Sequence, residues 1–446
     1  MYTLRPTPFC FRRAGLALAP LLLAAGLTAC QGGAKPSAAA AAPTVAMAPQ
    51  PVMAPAAPVR DAAFTAWLTQ ARAEAIKRGV KTATLDQALG DDVAPIPRII
   101  ELDNQQPEFS NTFTRYLTRA VSDKRVADGR AMMQKHAPLL AELERQYGVP
   151  GRFLVAFWGL ETDYGRDTGG YPVVNALATL AYDGRREAFF RDEMFKALTI
   201  LDKGHIAYPM MKGSWAGAMG QTQFMPSTFL RYAVDQDKDG HIDIWGSIPD
   251  ALGSGANYLK NLGWDGNRTW GREVRIPDDL DMREASLDVD AKENIKPLLE
   301  WANFGVRRAD GGPLPTLDVL ASLVLPAGAK GPAFLVYDNY RATLKWNRSA
   351  FYAIVVGYLA DRLSGAGKLT SSAQEGAPLR RDDVMALQEG LVTLGFLKSA
   401  DGVMGSATRQ AVRKFQLANG LMPDGYVDRT VIAAVRSRAQ GNQPAG

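Results

Sequence analysis

The chain has 446 residues, of which 47% are hydrophobic and 22% charged, a globular balance with length enough for about three domains. Its formal net charge is +5, but Arg5, Arg12 and Arg13 lie in a leader without acidic residues, so the remainder carries only +2. No basic footprint for nucleic acid is implied, and the two cysteines, Cys10 and Cys30, exclude a disulfide framework once a leader is removed.

In chain order the first element is a secretory leader: arginines, the apolar run Leu16 to Leu27, then small residues before a cysteine. The run is too short and too poorly flanked for a stable membrane span. Leu27-Thr28-Ala29-Cys30 resembles the bacterial lipoprotein cleavage box, which implies that residues 1–29 are removed and Cys30 becomes the lipidated first residue. Gln31 after the cysteine resembles the outer-membrane sorting pattern, so the expected location is the periplasm, anchored to the outer membrane. An ordinary signal peptide with a chance cysteine, or a twin-arginine signal at Arg12-Arg13, are the alternatives.

Residues 30–60 are nearly all Ala, Pro, Gly, Ser and Met and predict a disordered tether. Phe64, Trp67, Leu68 and Ala71 then recur at helical spacing and open a mainly helical unit over 61–364. Helices are predicted at Ala62 to Arg78, Ala131 to Tyr147, Pro150 to Tyr164, Glu187 to Lys203 and Ala350 to Leu363. Between about Trp270 and Pro332 the pattern loosens into strand-like pieces such as Val319 to Leu325, predicting a small β-containing subdomain.

Within the helix predicted from Pro150, Leu154, Trp158 and Glu161 share one face, with Phe157 beside them. An acidic side chain on an apolar stripe near the negative end of a helix is pushed toward its protonated form. Asp163 points elsewhere and reads as structural or solvated; for Glu161 alone the bland alternative is a salt-bridged surface residue. The segment Lys212 to Ser227 is rich in small residues that let backbone approach a ligand, while Ser214, Gln221 and Gln223 offer neutral groups suited to sugar hydroxyls and acetamides. Its alternative is a tight turn packed on the core.

Asp235, Asp237, Asp239, Gly240 and His241 repeat the opening of an EF-hand loop, but Gly246 stands where the closing glutamate belongs. Asp250 is the later acidic residue able to close it, so the loop is a candidate for a structural Ca2+, with a solvated acidic turn as the alternative. His136, His205 and His241 share no zinc-like spacing, and no cofactor is expected for catalysis.

Residues 365–378 read as a second linker, rich in Gly, Ser and Ala, and 379–440 as a compact module. Val384, Leu387, Leu391 and Leu394 trace one helix, Ala411, Val412 and Phe415 a second, and a third follows Asp424-Gly425. The string Leu387-Gln388, Leu394-Gly395-Phe396, Asp401-Gly402, Ala411-Val412, Phe415-Gln416, Asn419-Gly420-Leu421 and Asp424-Gly425 resembles the peptidoglycan-binding domain of cell-wall enzymes. Such a module raises local concentration on an insoluble polymer.

Four further motifs carry a second resemblance: Asp103-Asn104-Gln105-Gln106-Pro107-Glu108-Phe109, Trp158-Gly159-Leu160-Glu161-Thr162 with Tyr164-Gly165, Gly213 to Gln221 with Gln223 to Ser227, and Trp346 to Ala353. In their order they resemble the lytic murein transglycosylase B family of lysozyme-like enzymes. The resemblance implies a lysozyme-like, mainly α (α+β) core, peptidoglycan glycan strands as the partner, Glu161 as the catalytic acid, and Tyr116, Ser214, Gln223, Tyr258, Trp346, Asn347 and Tyr352 along the glycan groove. Trp346 stands where relatives often carry Tyr. It further implies that one glutamate serves as acid and then base, closing a 1,6-anhydro ring on N-acetylmuramic acid without consuming water. A hydrolysing muramidase of similar fold and a non-catalytic wall-binding lipoprotein are the rival readings.

Overall fold

A computed structural model describes residues 60–105, 112–285, 289, 294–373 and 375–441. The leader, nearly all of the tether, Cys30 and positions Gln106 to Phe109 of the first motif lie outside the described residues. Among the described residues no helix is long and apolar enough to cross a membrane.

The first helix, Ala62–Lys77, starts at Asp61, whose carboxylate accepts the Phe64 N–H at 2.6 Å and so caps the chain turn. Phe64, Leu68, Ala71 and Ala75 form its buried stripe. They pack with helices Thr82–Ala88, Pro97–Gln105, Val173–Asp183 and Glu187–Asp202 in one apolar core, which also takes Met211, Met219, Phe224 and Ile244. Asp103 is almost fully buried and receives Arg185 Nε at 2.6 Å and Arg186 Nη2 at 2.8 Å. The first motif therefore ties Pro97–Gln105 to the turn before Glu187–Asp202.

A second core gathers helices Phe113–Ala120, Asp123–Lys135, Ala137–Tyr147, Gly151–Thr162, Ile248–Asn261, Asp338–Trp346 and Ala350–Leu363. The single helix predicted over Ala131 to Tyr147 is two. His136 leaves helical geometry at φ −107°, ψ 20°, and Pro138 in the next first turn lacks the N–H that would continue the ladder. Between the two cores runs a seam, and Trp346 packs against both.

The β-containing subdomain is a five-stranded antiparallel sheet in the order Lys296–Pro297, Leu320–Val324, Ala333–Val336, Gly271–Arg275, Arg307–Arg308. Its central strands are buried on both faces: Val324, Phe334 and Val336 face the helical core, while Leu323, Ala333 and Leu335 face a separate cluster around Trp301. Side-chain alternation along a strand explains why two apolar sets interleave in one short run.

The C-terminal helices Arg381–Thr393, Ser406–Ala418 and Arg429–Gly441 enclose Leu387, Leu391, Val412, Phe415 and Val435. Two glutamines explain much of its motif. Gln388 accepts the N–H groups of Asp401 and Gly402 and donates to the Asp401 carboxylate at 2.8 Å; Gln416 does the same for Gly425 and Asp424. Each buried amide braces one Asp-Gly turn.

Candidate active site

Glu161 lies in the last turn of Gly151–Thr162, after a stripe in which Leu154, Phe157 and Trp158 are each at most 2% exposed. The helix stops one residue later. Asp163, Tyr164 and Gly165 all adopt positive φ, which for the first two residues costs on the order of 1 to 3 kcal/mol each. Tyr164 is held by donating to the Arg125 carbonyl at 2.7 Å, and Asp163 by Arg166 at 2.8 Å, so Asp163 is structural. Thr162 Oγ1 donates to the Gln221 carbonyl at 2.8 Å and accepts the Gly165 N–H. Gly159 faces the Tyr164 ring so closely that a Cβ there would lie 2.6 Å from it. The turn is thus clamped from both sides, and Glu161 is presented at a helix end that favours a neutral carboxyl.

Two neutral donors meet its carboxylate. Trp346 Nε1 donates to Glu161 Oε1 at 3.0 Å, and the Tyr352 hydroxyl donates to the same oxygen. Both hydrogen bonds favour the charged form, yet burial outweighs them and pushes Glu161 up to about 7. Among the described residues no neighbouring carboxylate adds to that rise. Burial, and then the charge of Glu161, push the Tyr352 phenol well above its ordinary value, so it stays protonated and remains a donor. A carboxyl poised in this way can release a proton and take another near neutral pH.

The chain brings those donors together economically. Trp346 ends one helix, Ser349 caps the next by accepting the Tyr352 N–H at 3.3 Å, and Asn347 accepts the Ser349 N–H at 3.0 Å in the turn between them. The Trp346 ring stands 4.6 Å from Phe157, 5.1 Å from Tyr258 and 5.5 Å from Phe224, centroid to centroid. Tyr116, on Phe113–Ala120, meets Phe351 at 6.1 Å. Asn347 is exposed beside Trp346, whereas Tyr116, Tyr258 and Trp346 are half-buried. Phe224 received no role in the sequence; its only signal was its place beside Gln223 in the small-residue motif.

That motif folds mainly upon itself. Ser214 Oγ accepts the Ala218 N–H at 3.0 Å, closing a tight loop, and Gln223, at φ 50°, donates to the carbonyls of Gly220 and Thr168. Gln221 is not a groove residue: it is 6% exposed, accepts from Trp158 Nε1 at 3.0 Å and donates to the Trp245 carbonyl. Gly217, at φ 87°, packs so near Leu177 that a Cβ would lie 2.4 Å from its side chain. The small residues permit close approach by protein, and Ser214 and Gln223 remain half-buried at its edge.

The acidic loop splits into two groups. Carboxylate oxygens of Asp235, Asp237 and Asp250 lie within 4.8 Å of one another, whereas Asp239 turns to accept the His241 N–H at 2.8 Å, and His241 is exposed. Asp250 is buried at the start of Ile248–Asn261 and accepts backbone N–H groups of Gln236, Asp237 and Asp243. Burial raises its pKa and Asp237 adds to the rise, leaving a concentration of negative charge.

Residues 63–361 match the transglycosylase SLT domain family, and residues 380–435 match the putative peptidoglycan binding domain family. Membrane-bound lytic murein transglycosylase B of Escherichia coli K12 is 36% identical over 172 residues, covering 36% of this chain and 47% of that relative, so the chain spans about half the relative's length. SltB3 of Pseudomonas aeruginosa, solved in complex with NAG-anhNAM-pentapeptide, is 43% identical with a TM-score of 0.79, over 84% of this chain and 100% of that one. The Escherichia coli lytic transglycosylase SLT35 in complex with calcium is 27% identical with a TM-score of 0.57, over 68% of this chain and 93% of that one. With well over half of its residues matched and the acidic helix, aromatic cluster and small-residue loop in place, the chain belongs to the transglycosylase SLT domain family.

Proposed function

We propose that this protein is a peptidoglycan lytic transglycosylase that cleaves the β-1,4 bond from N-acetylmuramic acid to N-acetylglucosamine, with Glu161 as its single acid and base. The observation that carries this reading is a lone carboxyl raised to about 7 by burial while two neutral aromatic donors hold one of its oxygens. Protonated Glu161 donates to the glycosidic oxygen as the bond to C1 breaks, and the substrate's own acetamide oxygen shields the developing positive charge. Ionised Glu161 then takes the C6 hydroxyl proton as that oxygen attacks C1 and closes the 1,6-anhydro ring. Glycosidases that hydrolyse usually need a second carboxylate. Membership of the transglycosylase SLT domain family favours the ring-closing route over hydrolysis. The relative SltB3 was solved both with NAG-anhNAM-pentapeptide and with NAG-NAM-pentapeptide, which supports a peptide-bearing glycan as the ligand.

Tyr116, Tyr258, Trp346, Asn347 and Tyr352, with Ser214 and Gln223 at the edge of the small-residue loop, make up the proposed glycan groove. Residues 379–440 hold the wall, and Cys30 supplies the lipid anchor on the periplasmic side of the outer membrane. Asp235, Asp237 and Asp250 fit a structural Ca2+, because their converging hard oxygen donors leave charge that a divalent cation would offset. Asp239 and His241 fit less well, since Asp239 is engaged within the loop. Mass spectrometry of the soluble products released from purified sacculi tests the reaction. Anhydro-muropeptides are expected, and products carrying one added water would identify a hydrolase.

A further inference from the structure

The segment read as the second linker is laid against the molecule. Glu273 accepts the N–H groups of Thr370 and Ser371 at 2.9 and 2.8 Å. Glu375 then accepts the N–H of Phe113 at 3.0 Å and of Thr114 at 2.6 Å, at the start of the helix that carries Tyr116. A carboxylate there satisfies two donors that the helix itself cannot and complements its positive end. From the C-terminal bundle, the Arg409 guanidinium lies over the Phe351 ring, 5.7 Å from its centroid. Phe351 immediately precedes Tyr352 and packs on Phe113 at 5.4 Å as well as on Tyr116. The bundle is further tied down by Asp424, which accepts the Ala329 N–H at 3.1 Å, and by Arg413, which donates to the carbonyls of Met282 and Arg283.

We infer that Glu375 and Arg409 are positioning residues, through which the linker and C-terminal bundle hold the two groove-bearing helix starts, and with them Tyr116 and Tyr352, from behind. The bundle then contributes to turnover as well as to retention on the wall. Arg409 is half-buried, with the carboxylates of Glu375 and Asp424 among its neighbours, so opposite charges sit on both linker and bundle. This role rests on the glycan-cleaving reading of the site.

A substrate too short to need tethering separates positioning from targeting. Full-length wild type, Glu375→Ala, Arg409→Ala and Arg409→Lys are compared on a soluble peptide-bearing tetrasaccharide of alternating N-acetylglucosamine and N-acetylmuramic acid, and in sacculus pull-down. Loosening the groove by a fraction of an ångström is expected to lower kcat about 10-fold in both alanine variants, with KM and pull-down near wild type. Arg409→Lys, which keeps a cation over the ring, is expected to recover part of the loss. Wild-type kcat on the short glycan in Glu375→Ala and Arg409→Ala, or a change confined to KM, overturns the positioning role. Where Arg409→Ala fails to fold, Glu375→Ala and Arg409→Lys decide by the same criterion. A wild type that releases no anhydro product defeats the proposed function instead, so the two failures are distinguishable.

Discussion

Trp346 donates its indole N–H to Glu161 Oε1 at 3.0 Å, and it does so from a ring wedged between Phe157, Tyr258 and Phe224. Such a donor cannot swing away or exchange freely with water. It fixes the direction of the carboxyl, while the shared burial keeps that carboxyl protonated.

Glu161→Gln is expected to abolish anhydro-muropeptide release, a loss of at least about 10² to 10⁴, since the proposed reaction routes both proton transfers through this carboxyl. Sacculus binding should persist through the C-terminal bundle. Product mass spectrometry and pull-down of one variant preparation check both; parallel loss of the two would mean a misfolded protein.

Burial raises Glu161 from 4.5 to about 7. Between those values the folded protein retains a proton that the unfolded chain has given up, so this group's contribution to stability declines as pH rises through the window and levels off outside it. The melting temperature of wild type should therefore lose ground to Glu161→Gln as pH climbs from about 4.5 to about 7. Turnover should fall above about 7, where the acid has lost its proton. A constant difference between the two melting curves would contradict the shift.

Tyr352→Phe removes a hydrogen bond that favours the ionised carboxylate. The Glu161 pKa is expected to rise further, moving the alkaline limb of the pH–rate profile upward. Losing a hydrogen bond to a charged group costs about 1.5 to 3 kcal/mol, so kcat should drop roughly 10- to 100-fold. Trp346→Phe should shift the limb in the same direction; a downward shift in either variant would refute the assignment.

Gly159→Ala reverses the usual helix preference. Alanine in a helix interior is ordinarily better than glycine by about 1 kcal/mol. Here the added methyl would press on the Tyr164 ring that closes the turn after Glu161. An overpacking cost of about 1 to 3 kcal/mol set against that gain of about 1 leaves a net loss of up to about 2 kcal/mol in urea denaturation, and a stabilised variant would mean that the ring yields.

Added Ca2+ should raise the melting temperature of wild type, and chelation should reverse it, by mass action on the folded state. Asp237→Asn should blunt the response, because it removes one of three converging carboxylates from an exposed position without disturbing the backbone bonds of Asp250. No movement of either melting curve with calcium would leave the loop as an acidic turn.

Periodicity revealed the helices because apolar stripes such as Phe64, Leu68, Ala71 and Ala75 are local patterns. It also placed Glu161 on a greasy face before any partner was known. The break at His136 was lost because one apolar rhythm continues across it, although Pro138 carried the signal. Helix termination by Asp163 and Tyr164, ahead of Gly165, depends on a tertiary clamp from the Arg125 carbonyl that no local rule contains. Gln221 looked like a sugar reader because buried and exposed amides are indistinguishable in sequence. The docking of the linker was illegible for a related reason: composition does not show that Glu273 and the linker's own Glu375 find backbone donors to accept from.

Trp346 touches both helical cores, so the environment of the acid belongs to neither lobe alone. Any breathing that parts the lobes wets Glu161 and lets its proton drift to solvent while each half remains intact. Heat should consequently lower turnover below the temperature at which the helices melt.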